Sequence, residues 1–74
     1  LMVDLRATNA KRVLRALRLT VRATGAAEAD ARAALAACDH RVKVAIVMLR
    51  ASVDAATAEQ RLDAAQGSVH AALR

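Results

Sequence analysis

Phenylalanine, tyrosine, tryptophan and proline are all missing from this chain, and glycine occurs only at Gly25 and Gly67. Without aromatic rings there is no platform on which nucleic-acid bases could stack. The same absence, set beside so much Ala, Leu and Arg, argues against sheets and for helices. A single cysteine, Cys38, excludes an internal disulfide and fits a reducing cytoplasm. Although 57% of the residues are hydrophobic, no apolar run approaches the ~20 residues that would span a bilayer. The first residues show no charged n-region, h-region or cleavage pattern, so no secretory signal is expected.

What is present amounts to one small domain. A chain of 74 residues builds a modest core worth only a few kcal/mol, so support from a neighbouring domain or subunit is expected. Leu1 is not an initiator, which points to a piece of something longer. The net charge of +5 is unevenly spread, because no acid occurs between Asp4 and Glu28. Lys11, Arg15, Arg18 and Arg22 recur at helical spacing beside an apolar stripe of Ala10, Leu14, Leu17 and Val21. One stripe is for packing; the other is for water, or for an acidic domain docked against it. Nucleic acid is not an expected partner, since the cations come with no recognisable motif.

The run LMVDLRATNAK at the front contains residues that packing does not require. Leu1 to Asp4 reads as an extended apolar lead-in, Thr8 and Asn9 are helix-capping types, and Lys11 then falls in the first turn. A lysine there opposes the helix dipole. Solvation of its ammonium is the ordinary explanation. The alternative is that the cation and a row of free backbone N–H groups face an anion together.

The chain divides into a long first helix of about Thr8 to Ala23, followed by two helical hairpins. Gly25 ends the first helix in a left-handed conformation, and Glu28 and Asp30 suit the start of a second, about Ala27 to Ala37. A third runs from about Arg41 to Arg50. Val42, Ala45, Ile46 and Leu49 give it one apolar face, and Val44, Val47 and Met48 extend apolar character almost all round, which marks it as the central helix. Asp54 caps a fourth reaching about Ala65, Gly67 closes it, and Ser68 caps a short fifth from Val69. The hairpins match at an offset of about 27 residues, pairing Ala31 with Ala58, Leu35 with Leu62, Ala37 with Ala64, Val42 with Val69 and Ala45 with Ala72. Cys38 and Ile46 align with Ala65 and Leu73. The expected fold is therefore all-α, a small bundle of about four to five short helices.

LMVDLRATNAK, then TGA, AALAAC, KVAIVML and DAATAEQRLDAAQGSVHAAL together resemble the C-terminal segment of bacterial N-acetylmuramic acid 6-phosphate etherases. The resemblance covers nearly the whole chain. AALAACDHRVKVAIVML is also similar to ubiquitin-associated domains, so the hairpins after the longer first helix are expected to be ubiquitin-associated-domain-like; ubiquitin binding is not inferred. One departure lies at Cys38-Asp39-His40-Arg41, where the etherases often carry a glycine-containing turn.

The resemblance implies a larger enzyme of which this is the smaller part. Those etherases cleave the D-lactyl ether of N-acetylmuramic acid 6-phosphate, giving N-acetylglucosamine 6-phosphate and D-lactate in peptidoglycan recycling. The reaction is a lyase-type elimination followed by addition of water. Glutamates of a preceding sugar isomerase domain supply the general base and acid, and no metal or organic cofactor is expected. Within this chain, Lys11 is the residue expected to meet the phosphate, with Asn9 and Thr8 orienting the loop or donating hydrogen bonds. The expected partners are the enzyme's own sugar isomerase domain, a second subunit of a homodimer and the phosphosugar substrate, with no membrane.

The other polar residues read as structural. Asp4, Glu28, Asp30, Asp39, Asp54, Glu59 and Asp63 suit helix starts, caps or surface, and no pair is arranged for acid–base work. Cys38 with His40 falls short of the four ligands of a closed metal site, and Cys38 reads as a small buried hydrophobe. Ser52 and Ser68 stand where caps or turns are expected. The whole reads as a cytoplasmic helical cap and docking domain, inactive alone. The alternatives are a stand-alone interaction or dimerisation module and, further off, a basic nucleic-acid-binding bundle.

Overall fold

The computed structural model describes residues 5–73, with side chains from Asn9 onward. The lead-in expected at Leu1 to Asp4, and the side chain of Thr8, lie outside the described residues. Five helices follow in order: α1 (Leu5–Thr24), α2 (Glu28–Ala37), α3 (Val42–Ala51), α4 (Ala55–Ala64) and α5 (Val69–Ala72). No strand occurs among the described residues. No helix among them is long and apolar enough to cross a membrane.

Each helix end has a local cause. At the end of α1 the Thr24 hydroxyl donates to the Thr20 carbonyl at 2.7 Å and accepts from the Ala26 N–H at 3.1 Å. Gly25 then takes φ 70° and donates its N–H to Val21 O at 2.7 Å, a left-handed stop that glycine makes without steric cost. Asp54 caps α4 as expected, its Oδ1 accepting from the Thr57 N–H at 2.8 Å, and the Ser68 hydroxyl accepts from the Ala71 N–H at 3.2 Å to cap α5. Helix α2 starts at Ala27 without a side-chain cap. Glu28 and Asp30 in its first turn favour the dipole instead, and Glu28 also pairs with Arg32 at 2.8 Å.

Helix α3 is the central element, packing against α1, α2, α4 and α5. Its Val44, Ala45 and Val47 are fully enclosed, while Val42, Met48 and Leu49 pack half-buried around them. Much of the core is alanine: Ala16, Ala31, Ala34, Ala45, Ala58 and Ala72 are all buried. Such small side chains bring helices toward the close end of the ~8–10 Å range of interaxial distances. Two cations of α3 pin neighbouring turns, with Lys43 Nζ donating to Gly67 O at 3.2 Å and an Arg50 guanidinium N–H donating to Ala23 O at 3.4 Å.

The repeat seen in the sequence is a structural repeat. Ala31 and Ala58, Leu35 and Leu62, and Ala45 and Ala72 are buried pair by pair, whereas Ala37 and Ala64 are exposed together. The correspondence extends to the backbone. Cys38 and Ala65 donate to the carbonyls of Leu35 and Leu62, and Arg41 and Ser68 donate to those of Cys38 and Ala65. The turn that departs from the etherase pattern keeps its geometry without glycine: Asp39 and His40 adopt φ 57° and 60°, the same left-handed pair that Gln66 and Gly67 adopt at 56° and 83°.

Two expectations about α1 are corrected. The helix is already running at Leu5, so Thr8 and Asn9 lie inside it and Lys11 sits beyond its first turn. Its buried seam is also not Ala10, Leu14, Leu17 and Val21. Ala16, Leu17 and Thr20 are buried, Val21 is half-buried, Leu14 is 43% exposed and Ala10 is exposed. The bundle selects the face carrying Ala16 and Thr20 because small residues admit close approach. Thr20 buries its hydroxyl by donating to Ala16 O at 2.8 Å, which removes the cost of an unmade hydrogen bond.

Candidate functional site

The first half of α1 carries the expected binding residues, and its described side chains, from Asn9 onward, contribute nothing to the core. From Asn9 to Arg15 every residue is exposed, and burial begins only at Ala16. Asn9 and Lys11 are therefore both accessible on the helix, but they do not converge. Two residues apart on a helix, they point about 200° away from one another. Lys11 opens a groove of about 400 Å³ with Leu14, Arg15, Arg18, Leu19 and Arg22. Asn9 lines a different cleft, with Arg12, Val13, Ala16, Asp39 and His40.

The electrostatics of the Lys11 groove are uniform in sign. The sequence of α1 contains Arg6, Lys11, Arg12, Arg15, Arg18 and Arg22 and no acid. The ion pairs among the described residues lie elsewhere, Arg32 with Glu28 and Arg41 with Glu59 at 3.2 Å. A multiply charged anion would find donors and a favourable field along this edge. The free backbone N–H groups that the sequence placed beside Lys11 belong instead to the first turn, which starts at Leu5.

The second cleft was not legible in the sequence. It exists because the tip of the α2–α3 turn folds back against α1, bringing His40 beside Val13 and Arg12. His40 is exposed. Cys38 is buried, 4% exposed, with its thiol donating to Arg41 O at 3.3 Å. Burial pushes its pKa up and outweighs the opposing pull of the Arg41 backbone hydrogen bond. It is a packed thiol rather than a nucleophile. No group of three or more His, Cys, Asp or Glu among the described residues is placed to hold a metal ion.

No family profile matches the chain, and no solved structure matches it. Curated proteins do. The chain is 55% identical over 73 residues to an N-acetylmuramic acid 6-phosphate etherase of Enterobacter sp. (strain 638), covering 99% of the chain and 25% of that protein. It is 51% identical to the etherase of Serratia proteamaculans (strain 568), with the same coverage. It is 49% identical to N-acetylmuramic acid 6-phosphate etherase 2 of Vibrio parahaemolyticus, covering 24% of it. The chain thus spans about a quarter of the length of the curated relatives it matches, a share consistent with the C-terminal domain that its sequence resembles. Over nearly its whole length, this helical bundle is thus similar to one segment of the N-acetylmuramic acid 6-phosphate etherases.

Proposed function

We propose that the chain is the C-terminal helical cap and docking domain of such an etherase. In this reading the parent enzyme cleaves the D-lactyl ether of N-acetylmuramic acid 6-phosphate to N-acetylglucosamine 6-phosphate and D-lactate. The catalytic carboxylates come from a sugar isomerase domain outside this chain, which acts in a homodimer. The bundle closes over the phosphosugar pocket, with Lys11 reaching the phosphate and Asn9 and Thr8 orienting the contact or donating hydrogen bonds. A lysine brought out of water against a phosphate dianion makes charge-assisted bonds stronger than neutral ones.

The observation that carries this reading is the exposure of α1 from Asn9 to Arg15, in a chain whose relatives are etherases about four times its length. A segment left this exposed by its own bundle is available to another body. The test is kinetic and uses the full-length protein. Lys11→Ala should lower kcat/KM for the phosphosugar by about tenfold or more, the equivalent of ~1.4 kcal/mol, whereas Arg18→Ala, which removes one cation of several along the same helix, should lower it far less. Equal, small effects would remove Lys11 from the pocket. Self-association of the 74-residue chain alone would favour the rival reading, an interaction module that never meets the sugar.

A further inference from the structure

We propose that the outer face of α1, opposite its seam, is a permanent docking ridge for an acidic, apolar-flanked surface in the body of the same protein. The proposal rests on the chain being one domain of a longer enzyme, and it is independent of whether Lys11 touches substrate. At about 100° per residue, Lys11, Arg15, Arg18 and Arg22 form one row, with Leu14 on one shoulder and Leu19 on the other. These residues line a single continuous groove. The buried Ala16, Leu17 and Thr20 lie on the far side of the helix.

Leu14 is 43% and Leu19 46% exposed, which a purely solvated face has no reason to contain. Single exposed leucines are ordinary, but two flanking one cationic row make an amphipathic strip of the kind that marks an interaction surface. Charge complementarity fixes the occupant's sign, because α1 supplies only cations and its row makes no ion pair among the described residues. The partner must bring the carboxylates. Length argues for where the partner resides, since the greater part of the etherase relatives lies outside the matched segment. The leucine shoulders favour a protein surface over a nucleic acid, whose phosphates would leave them in water.

The experiment is amide hydrogen exchange on the full-length protein. In Arg15→Glu/Arg18→Glu, and separately in Leu14→Ser/Leu19→Ser, protection of the α1 amides from Asn9 to Arg18 should fall by about tenfold or more. The amides of Val44 to Val47 should keep theirs, which shows that the bundle remains folded. Raising the salt concentration should reproduce the charge-reversal effect in the parent protein. Arg12→Glu, on the cleft beside His40 rather than on the ridge, should change neither region. Unchanged α1 protection in both double variants overturns the proposal. So does a loss of α1 protection that accompanies dissociation of an oligomer, which would make a second copy the occupant, or DNA binding that weakens steeply with salt. Loss of α1 protection in these variants, with no kinetic effect of Lys11→Ala, would leave the ridge standing and the cap reading refuted.

Discussion

His40 and Gly67 occupy the same place in twin turns: each donates its backbone N–H across the turn at 2.7 Å, His40 to Leu35 O and Gly67 to Leu62 O, and each sits at positive φ. One is the residue type suited to that conformation, and the other is not. A non-glycine residue held left-handed costs ~1–2 kcal/mol. His40→Gly should therefore raise stability by about 1 kcal/mol, less what the more flexible unfolded chain takes back. A Cβ built at Gly67 meets nothing within 4 Å, so Gly67→Ala should cost about 1 kcal/mol through the backbone alone. Urea unfolding of both variants measures the pair.

Leu35 and Leu14 should separate core from ridge. Leu35 is 2% exposed and central to the first hairpin, so Leu35→Ala should cost ~2–5 kcal/mol, enough to unfold much of a domain this small. Leu14→Ala in the same 74-residue chain should stay within about 0.5 kcal/mol of the parent. Chemical denaturation monitored by helical circular dichroism reads both.

Asp54 should make the stability of α4 acid-sensitive. Hydrogen bonds from the Thr57 side chain and backbone N–H hold its carboxyl below the usual range. A folded-state pKa below the unfolded value stabilises above about pH 3.9, and that contribution disappears as pH falls through the folded value. Asp54→Ala should lower the Tm at neutral pH and flatten its fall in acid. Asp63→Asn, on the exposed face of the same helix, should leave the Tm at neutral pH nearly unchanged.

Cys38 should show the opposite slope. Its folded pKa is raised by burial, so its contribution is complete below about pH 8.5 and is lost as pH rises through the folded value. Thermal scans from pH 7 to 10 should show an alkaline decline that Cys38→Ala removes. Alanine stands at the equivalent position of the second hairpin, Ala65, so that variant should cost no more than about 1 kcal/mol at pH 7. Iodoacetamide should modify Cys38 in the folded parent far more slowly than in urea.

The helix ends were legible because their causes are local: Gly25, Asp54, Gly67 and Ser68 act on backbone groups a few residues away. The paired hairpins were legible for a similar reason, since repeated apolar spacing repeats the packing seam. The candidate site was legible only as a list of residues. The sequence singled out Asn9 and Lys11 but could not show that the helix running from Leu5 turns them away from one another. Nor could it show His40 arriving beside Arg12, which depends on contact between segments distant in the chain.

The sequence by itself determined an all-helical chain, its punctuation, its central third helix and an acid-free first helix, because propensity, capping and apolar period act within a few residues. The tertiary structure decided which side of α1 faces inward. Leucines at positions 14 and 19 are the stronger hydrophobes, yet Ala16 and Thr20 are buried, because closeness of approach between helices outweighs the area a single side chain can hide. That choice leaves a cationic ridge with leucine shoulders facing outward.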